Sequence, residues 1–294
     1  MNDPSSTAEL DPLQHPRLEI GRDVSTWPTL KIARAAHHLA ELQSRITLWT
    51  AGRPMHTEGV FSDDRLTWQF ILSVTTLPPV EEWSLILGDF VHSLRSSLDA
   101  CIWEFATRDG RTPSRPRQVQ FPIIDSEGKW ADARRSQLQT VPDEIAERVH
   151  ILQPFRRPED ERPRDALVLL QELSNRDKHR SSISVGLNVH SYTADMTLDF
   201  GSREASERNV PPQVEYFTPE ISDGALLIEH KSVDPIMAVT GGYSVGLKFG
   251  IETALGVQEL MPTLNGLLKY AQDVLAVLYG GAAKDDGQGQ LDPS

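Results

Sequence analysis

Apolar residues recur at helical spacing in four stretches of the chain and at alternate positions in several shorter ones. Over 29–50, Leu30, Ile32, Ala33, Ala36, Leu39, Ala40, Leu42, Ile46 and Leu48 form a broad stripe that Gly52-Arg53-Pro54 closes. The segment 80–106 is the clearest helix. Phe90, Val91, Leu94, Leu98, Cys101, Ile102 and Phe105 share one face, and Asp89, His92, Arg95, Ser96 and Asp99 share the opposite one. A helix over 165–180 carries Ala166, Leu169, Leu170 and Leu173 on a stripe that Asp177 and Arg180 extend. The fourth, over 262–279, opens on Pro262, whose missing N–H costs nothing in a first helical turn.

Strict alternation over Leu66, Trp68, Phe70, Leu72 and Val74 predicts a strand, joined through Ser62-Asp63-Asp64 to a shorter one near Val60. From 181 onward short alternating runs follow one another: Ile183–Val189, Met196–Phe200, Val214–Phe217, Ala225–Ile228, Ile236–Val239 and Tyr243–Phe249. Gly, Pro, Asp and Ser separate them, as in an antiparallel meander. The expected fold class is therefore α+β: a helical bundle of about four long helices packed against a mainly C-terminal antiparallel sheet. Residues 1–20 and 281–294 read as disordered ends, and 21–280 as a single α+β domain.

Composition narrows the setting. Of 294 residues 39% are hydrophobic, enough for a sizeable core, and no apolar run is long enough for a membrane helix. The opening residues lack the pattern of an export signal, so a cytoplasmic address is expected. The one cysteine, Cys101, allows neither a disulfide framework nor a cysteine-based zinc site. The net charge of −13 argues against general coating of nucleic acid. Yet arginines cluster at 108–117 and 156–164 and, with lysine, at 176–180, so a local anion site or three solvated loops are both open. No cofactor is expected: phosphate-binding glycine loops and the H-E-x-x-H string are absent. A tryptophan-lined pocket at Trp68, Trp83 and Trp103 is an alternative to their serving as core.

Two polar constellations carry the candidate chemistry. In 80–106, Asp89, His92, Ser96 and Asp99 recur three or four apart and stack along one face, with Arg95 beside His92 and Asp99. This is a solvated face, a buried network or a site lining. The absence of lysine there and the short side chains favour something other than plain solvent. Asp89 and His92 alone could share a metal only with further ligands, so no metal is assigned. The second constellation is Asn175-Arg176-Asp177-Lys178-His179-Arg180. Its basic residues suit the negative end of a helix. Asp177 falls on the apolar stripe and is expected to point inward, paired with Arg95 or Arg180.

The strings GDFVHSLRSSLDACIWE (88–104), FPI (121–123), ILQPF (151–155) and LSNRDKHR (173–180) resemble a group of bacterial and phage proteins with a G-[DE]-x-x-H-x-L-R-[NS]-x-L-D pattern followed by N-x-D-K-H-R. The first motif is in turn similar to the arginine–polar–histidine signature of HEPN domains, helical bundles that often act as dimeric, metal-independent RNases. That resemblance implies RNA or nucleotide phosphate as partner and a homodimer. It implies His92, Arg95 and His179 as catalytic, and Asp89, Asp99, Asn175, Asp177, Lys178 and Arg180 as binding residues. Ala100 stands where the HEPN histidine belongs, so nuclease activity would be weak or lost, and whether the chain is an enzyme stays open. The rival expectation is a non-enzymatic interaction or scaffold protein, whose polar motifs fix how the helices of 80–106 and 165–180 dock.

Overall fold

A computed structural model describes residues 26–179 and 185–280. The ends expected to be disordered, 1–20 and 281–294, lie outside the described residues, as does Arg180. Lys178 and His179 are described in their backbone only. The elements run α1 (Trp27–Ala51), β1 (Met55–Phe61), β2 (Thr67–Val74), α2 (Val80–Thr107), α3 (Trp130–Ser136), α4 (Asp143–Ile151), α5 (Ala166–His179), β3 (Val185–Asp199), α6 (Arg203–Arg208), β4 (Gln213–Tyr216), β5 (Ala225–Lys231), β6 (Ala238–Thr253), β7 (Gly256–Glu259) and α7 (Leu260–Gly280). The protein is thus mixed α and β. Its described strands form two antiparallel sheets, in the orders β1-β2-β5-β4 and β3-β6-β7, where one had been expected.

The chain divides into two compact units. The first takes the described residues up to His37, Phe90–Gln171 and those from Leu267; the second takes His38–Asp89 and Glu172–Gly266. Every boundary falls inside a long helix, so α1, α2, α5 and α7 each supply residues to both.

The first unit contains no described strand. The apolar stripe of α2 is buried as the pattern predicts: Phe90, Val91, Leu94, Leu98, Cys101, Ile102 and Phe105 are all at most 2% exposed. Helix ends are closed by side chains that the amphipathic pattern does not announce. Thr140 donates to the Ala106 carbonyl at the end of α2 (2.6 Å). Arg148 does the same for Leu278 near the end of α7 (3.0 Å). Both supply donors that the last helical turn lacks. Asp165, which is 7% exposed, accepts from the Leu167 N–H (2.8 Å) before α5 and pairs with Arg157 (3.2 Å).

The second unit holds both sheets. Trp68, Phe70 and Leu72 of β2 alternate inward and share a core with Leu227 and Ile228 of β5 and Tyr243 of β6. Tyr192, Met196 and Leu198 of β3 pack on the same core. The runs 181–189 and 196–200, expected as separate strands, belong to one strand from Val185 onward. A register shift between Val189 and Ser191 sets His190 out of step and hides the continuity. Likewise 236–239 and 243–249 merge into β6 through Gly241, where φ is +82° and an added Cβ would lie 1.9 Å from the Asp195 carbonyl oxygen. Only glycine fits that approach.

Candidate functional site

The two polar constellations have separate fates, beginning with Arg95. It sits on α2 at 5% exposure. Its Nη2 donates to the Phe121 carbonyl at 2.7 Å and lies 3.0 Å from Asp99 Oδ1. The same Asp99 oxygen accepts the Phe121 N–H at 3.0 Å. One helical turn, Arg95 to Asp99, therefore grips both backbone groups of a single residue. Burial pushes the guanidinium below its ordinary range and Asp99 partly opposes this; an arginine side chain stays charged at neutral pH. Nη1 is buried with no hydrogen-bond partner among the described residues, a cost that the charge-assisted bonds of Nη2 offset.

The grip continues along the chain. Pro122 has no N–H to satisfy. Ile124 donates its N–H to Oε1 of the fully buried Gln153 at 3.0 Å, and its carbonyl accepts from Phe155 N–H at 3.3 Å. Gln153 returns its amide to the Val149 carbonyl in α4 at 3.0 Å. The strings RSSLD, FPI and ILQPF are thus one construction: an extended segment, Phe121–Ile124, outside any helix or sheet, whose first residue has its peptide groups met by α2 and whose last has its own met by the turn after α4. Buried peptide groups left without partners would each cost about 1–3 kcal/mol, which is why these positions need Arg, Asp and Gln. Phe121 anchors the segment by burying its ring completely.

Ser96 accepts from Lys31 of α1, whose ammonium also stands 5.1 Å over the Trp27 ring. Asp89 and His92 are exposed, as is Trp103, so the face of α2 divides into a solvated strip and a pair, buried Arg95 and half-buried Asp99, that is turned to Phe121. Trp68 and Trp83 are core residues rather than a pocket lining. Cys101, on the buried face, has its thiol pushed up to about 12 by burial and stays protonated and unreactive.

The second constellation is corrected in two respects. Asp177 is exposed rather than inward, and Arg95 spends its contacts on Asp99 and Phe121 instead of on Asp177. Asp177 does reach α2, however. A Cβ built at the buried Gly88 would meet its Oδ1 at 2.7 Å, so the carboxylate lies on bare helix backbone that only glycine provides. Arg176 donates to the Glu252 carbonyl at 2.6 Å, and Glu172 accepts the Ala254 N–H at 2.8 Å. Together they fasten the last turns of α5 to the β6–β7 turn. Asn175 is exposed, and His179 and Lys178 have no described side chains to place.

Other chemistry is limited among the described residues. No group of three or more His, Cys, Asp or Glu is placed to hold a metal, and no helix is long and apolar enough to cross a membrane. One string of catalytic form exists: Gly242–Gly246 reads G-x-S-x-G. Ser244, however, lies inside β6 opposite Thr193, not on a strand-to-helix turn, so it is no nucleophile elbow. An open groove of 490 Å³ in the first unit is floored by Ile124, Ala133 and Val168 and rimmed by Asp125, Lys129 and Gln171. Lys129 is taken up by Asp125 at 2.7 Å.

No family model matches this chain, and neither the curated proteins nor the solved structures contain a match to it.

Proposed function

We propose that the chain is a non-enzymatic interaction or scaffold protein whose polar motifs are a docking network for its own segments. One observation carries this reading: the arginine expected at a scissile phosphate is buried and directs its hydrogen bonds to the Phe121 peptide. A catalytic arginine must present donors where charge develops on a substrate, and Nη2 of Arg95 is already committed. Arg176 and Glu172 support the same reading in the second unit, since both meet backbone groups of the β6–β7 turn.

Replacing Arg95 by Met tests it. The expected outcome is a lowered melting temperature, with unchanged affinity for any partner measured well below melting. Loss of a binding or cleavage activity in a variant that is still folded would contradict the reading.

A second reading keeps one observation in its favour. His92 is exposed on α2 and could meet a phosphate from solvent, as a HEPN-like, RNA- or nucleotide-binding core would require. Titration of labelled RNA at low and moderate salt, with His92→Ala as comparison, separates the two. Binding that His92→Ala abolishes supports RNA, and no binding at either salt removes it.

A further inference from the structure

The sheet β3-β6-β7 carries an unusual free edge. β3 pairs with β6 from Val185 to Asp199, and among the described residues nothing pairs with its other side. Beyond the bulge the edge is open: Ser191, Thr193, Ala194, Asp195, Thr197 and Asp199 are all exposed. The other strands with one free edge are shorter: seven residues in β1, four each in β4 and β7. Edge strands of this length are normally blunted by lysine, proline, a bulge or a cover, and the bulge of β3 lies before Ser191, leaving Ser191–Asp199 in regular register. β3 contains neither lysine nor proline.

The two faces of the edge differ in chemistry. Tyr192, Met196 and Leu198 turn into the core beside Val239 and Val245 of β6. On the opposite face Thr193, Asp195, Thr197 and Asp199 stand across from Ser244, Gly242, Thr240 and Ala238. Over these positions the face holds two carboxylates, hydroxyls and small side chains, and no base; Lys248 of β6 lies on the far side of the bulge and is paired with Glu259. A strand added here would meet apolar positions on one side and acidic positions on the other, alternating along its length.

We infer that the outer edge of β3 takes up an extended peptide of another protein in which apolar residues alternate with lysine or arginine, added to the sheet as a further strand. The inference rests on the reading of the chain as an interaction protein and names the partner's chemistry. Backbone hydrogen bonds to the open edge supply affinity, and Asp195 and Asp199 select for cations opposite them. A second copy of the chain is the poorer occupant, because each copy brings a net charge of −13 to the contact.

The test is fluorescence anisotropy of the full chain with a labelled synthetic peptide alternating lysine and valine. The expected result is saturable binding, lost when alternate peptide amides are N-methylated and lost when glutamate replaces lysine. The double variant Asp195→Lys with Thr197→Lys should bind about tenfold more weakly at an unchanged melting temperature, since it reverses the charge met by the peptide. Absence of binding, or equal binding of the N-methylated or glutamate peptide, overturns the inference. So does a doubled mass in sedimentation that the same double variant abolishes, because the edge would then serve a second copy. None of these outcomes touches the grip on Phe121, which stands or falls on variants of Arg95 and Asp99.

Discussion

The two units solve the same problem, satisfying backbone that is not helical, by opposite means. In the second unit strands pair with strands, and side chains such as Arg176 and Glu172 meet backbone at the ends of strands and in turns. In the first, Phe121–Ile124 has no described strand beside it, and buried Arg95 and Gln153 with half-buried Asp99 stand in for a ladder. A ladder tolerates most side chains because backbone meets backbone. A segment held by side chains depends on individual residues, and the polar motifs concentrate there for that reason. The sheets show the complementary weakness: a ladder always has edges, and β3 leaves one open.

The comparison is broken most directly at Arg95. Arg95→Ala should destabilise the protein by about 3 kcal/mol, because it strands the Phe121 carbonyl and leaves Asp99 without its cation. Urea unfolding measures this, and a loss below about 1 kcal/mol would mean the grip is ornamental. Gln153→Ala comes next, at about 2 kcal/mol, for two lost hydrogen bonds in a site with no exposure. An exposed residue of equivalent strand register, Thr197, should tolerate alanine within about 0.5 kcal/mol.

A smaller effect tests the approach of α5 to α2 in the second unit. Gly88→Ala brings a helix-propensity gain of up to about 1 kcal/mol and a clash with the Asp177 carboxylate. The carboxylate is the end of an exposed side chain and can move, so the single variant should be near neutral. In an Asp177→Ala background the same substitution should become stabilising, and a double-mutant cycle reads the coupling. Additivity would show that the two do not touch.

The smallest effect belongs to a buried histidine. His230 of β5 is 5% exposed, flanked in the sheet by Trp68 and Val214, with Nε2 2.8 Å from the Tyr243 hydroxyl and Nδ1 without a partner among the described residues. Tyr216 is the other titratable group at that hydroxyl, and burial pushes the imidazole below its ordinary value. The unfolded chain then binds the proton more readily than the folded one. Stability from this group is complete above the unfolded value of about 6.5 and is lost as pH falls through the lower folded value. Urea midpoints at pH 7.5 and 5.5 should therefore fall further for the natural chain than for His230→Leu. Parallel falls would exclude the histidine as the cause.

Much of this was legible in the residues, and the gaps have physical causes. The four long helices are written in their stripes, and the apolar face of α2 is buried as its wheel predicts, although Arg95 of the polar face is buried too. Helices α3, α4 and α6 are not marked by the pattern because they are short, and their few apolar residues make no sustained stripe. The length of β3 and β6 was hidden by the bulge at His190 and by Gly241, which break the run of apolar alternate positions without ending a strand. The inward reading of Asp177 failed because it lies in the last turns of α5, past Leu173 and Ser174, where its carboxylate rests on Gly88 and meets solvent. The strings around Arg95, Phe121 and Gln153 were visible as motifs. What they hold was not, since the acceptors are main-chain atoms, which every residue has and no sequence marks.

Amide hydrogen exchange at Phe121 addresses the central claim most directly. Its N–H lies in irregular chain and, among the described residues, is bonded to Asp99. The account predicts slow exchange in the natural protein and exchange faster by at least an order of magnitude in Asp99→Ala, with core amides of β2 unchanged. Rapid exchange at Phe121 in the natural protein, or protection that survives the loss of Asp99, would contradict it.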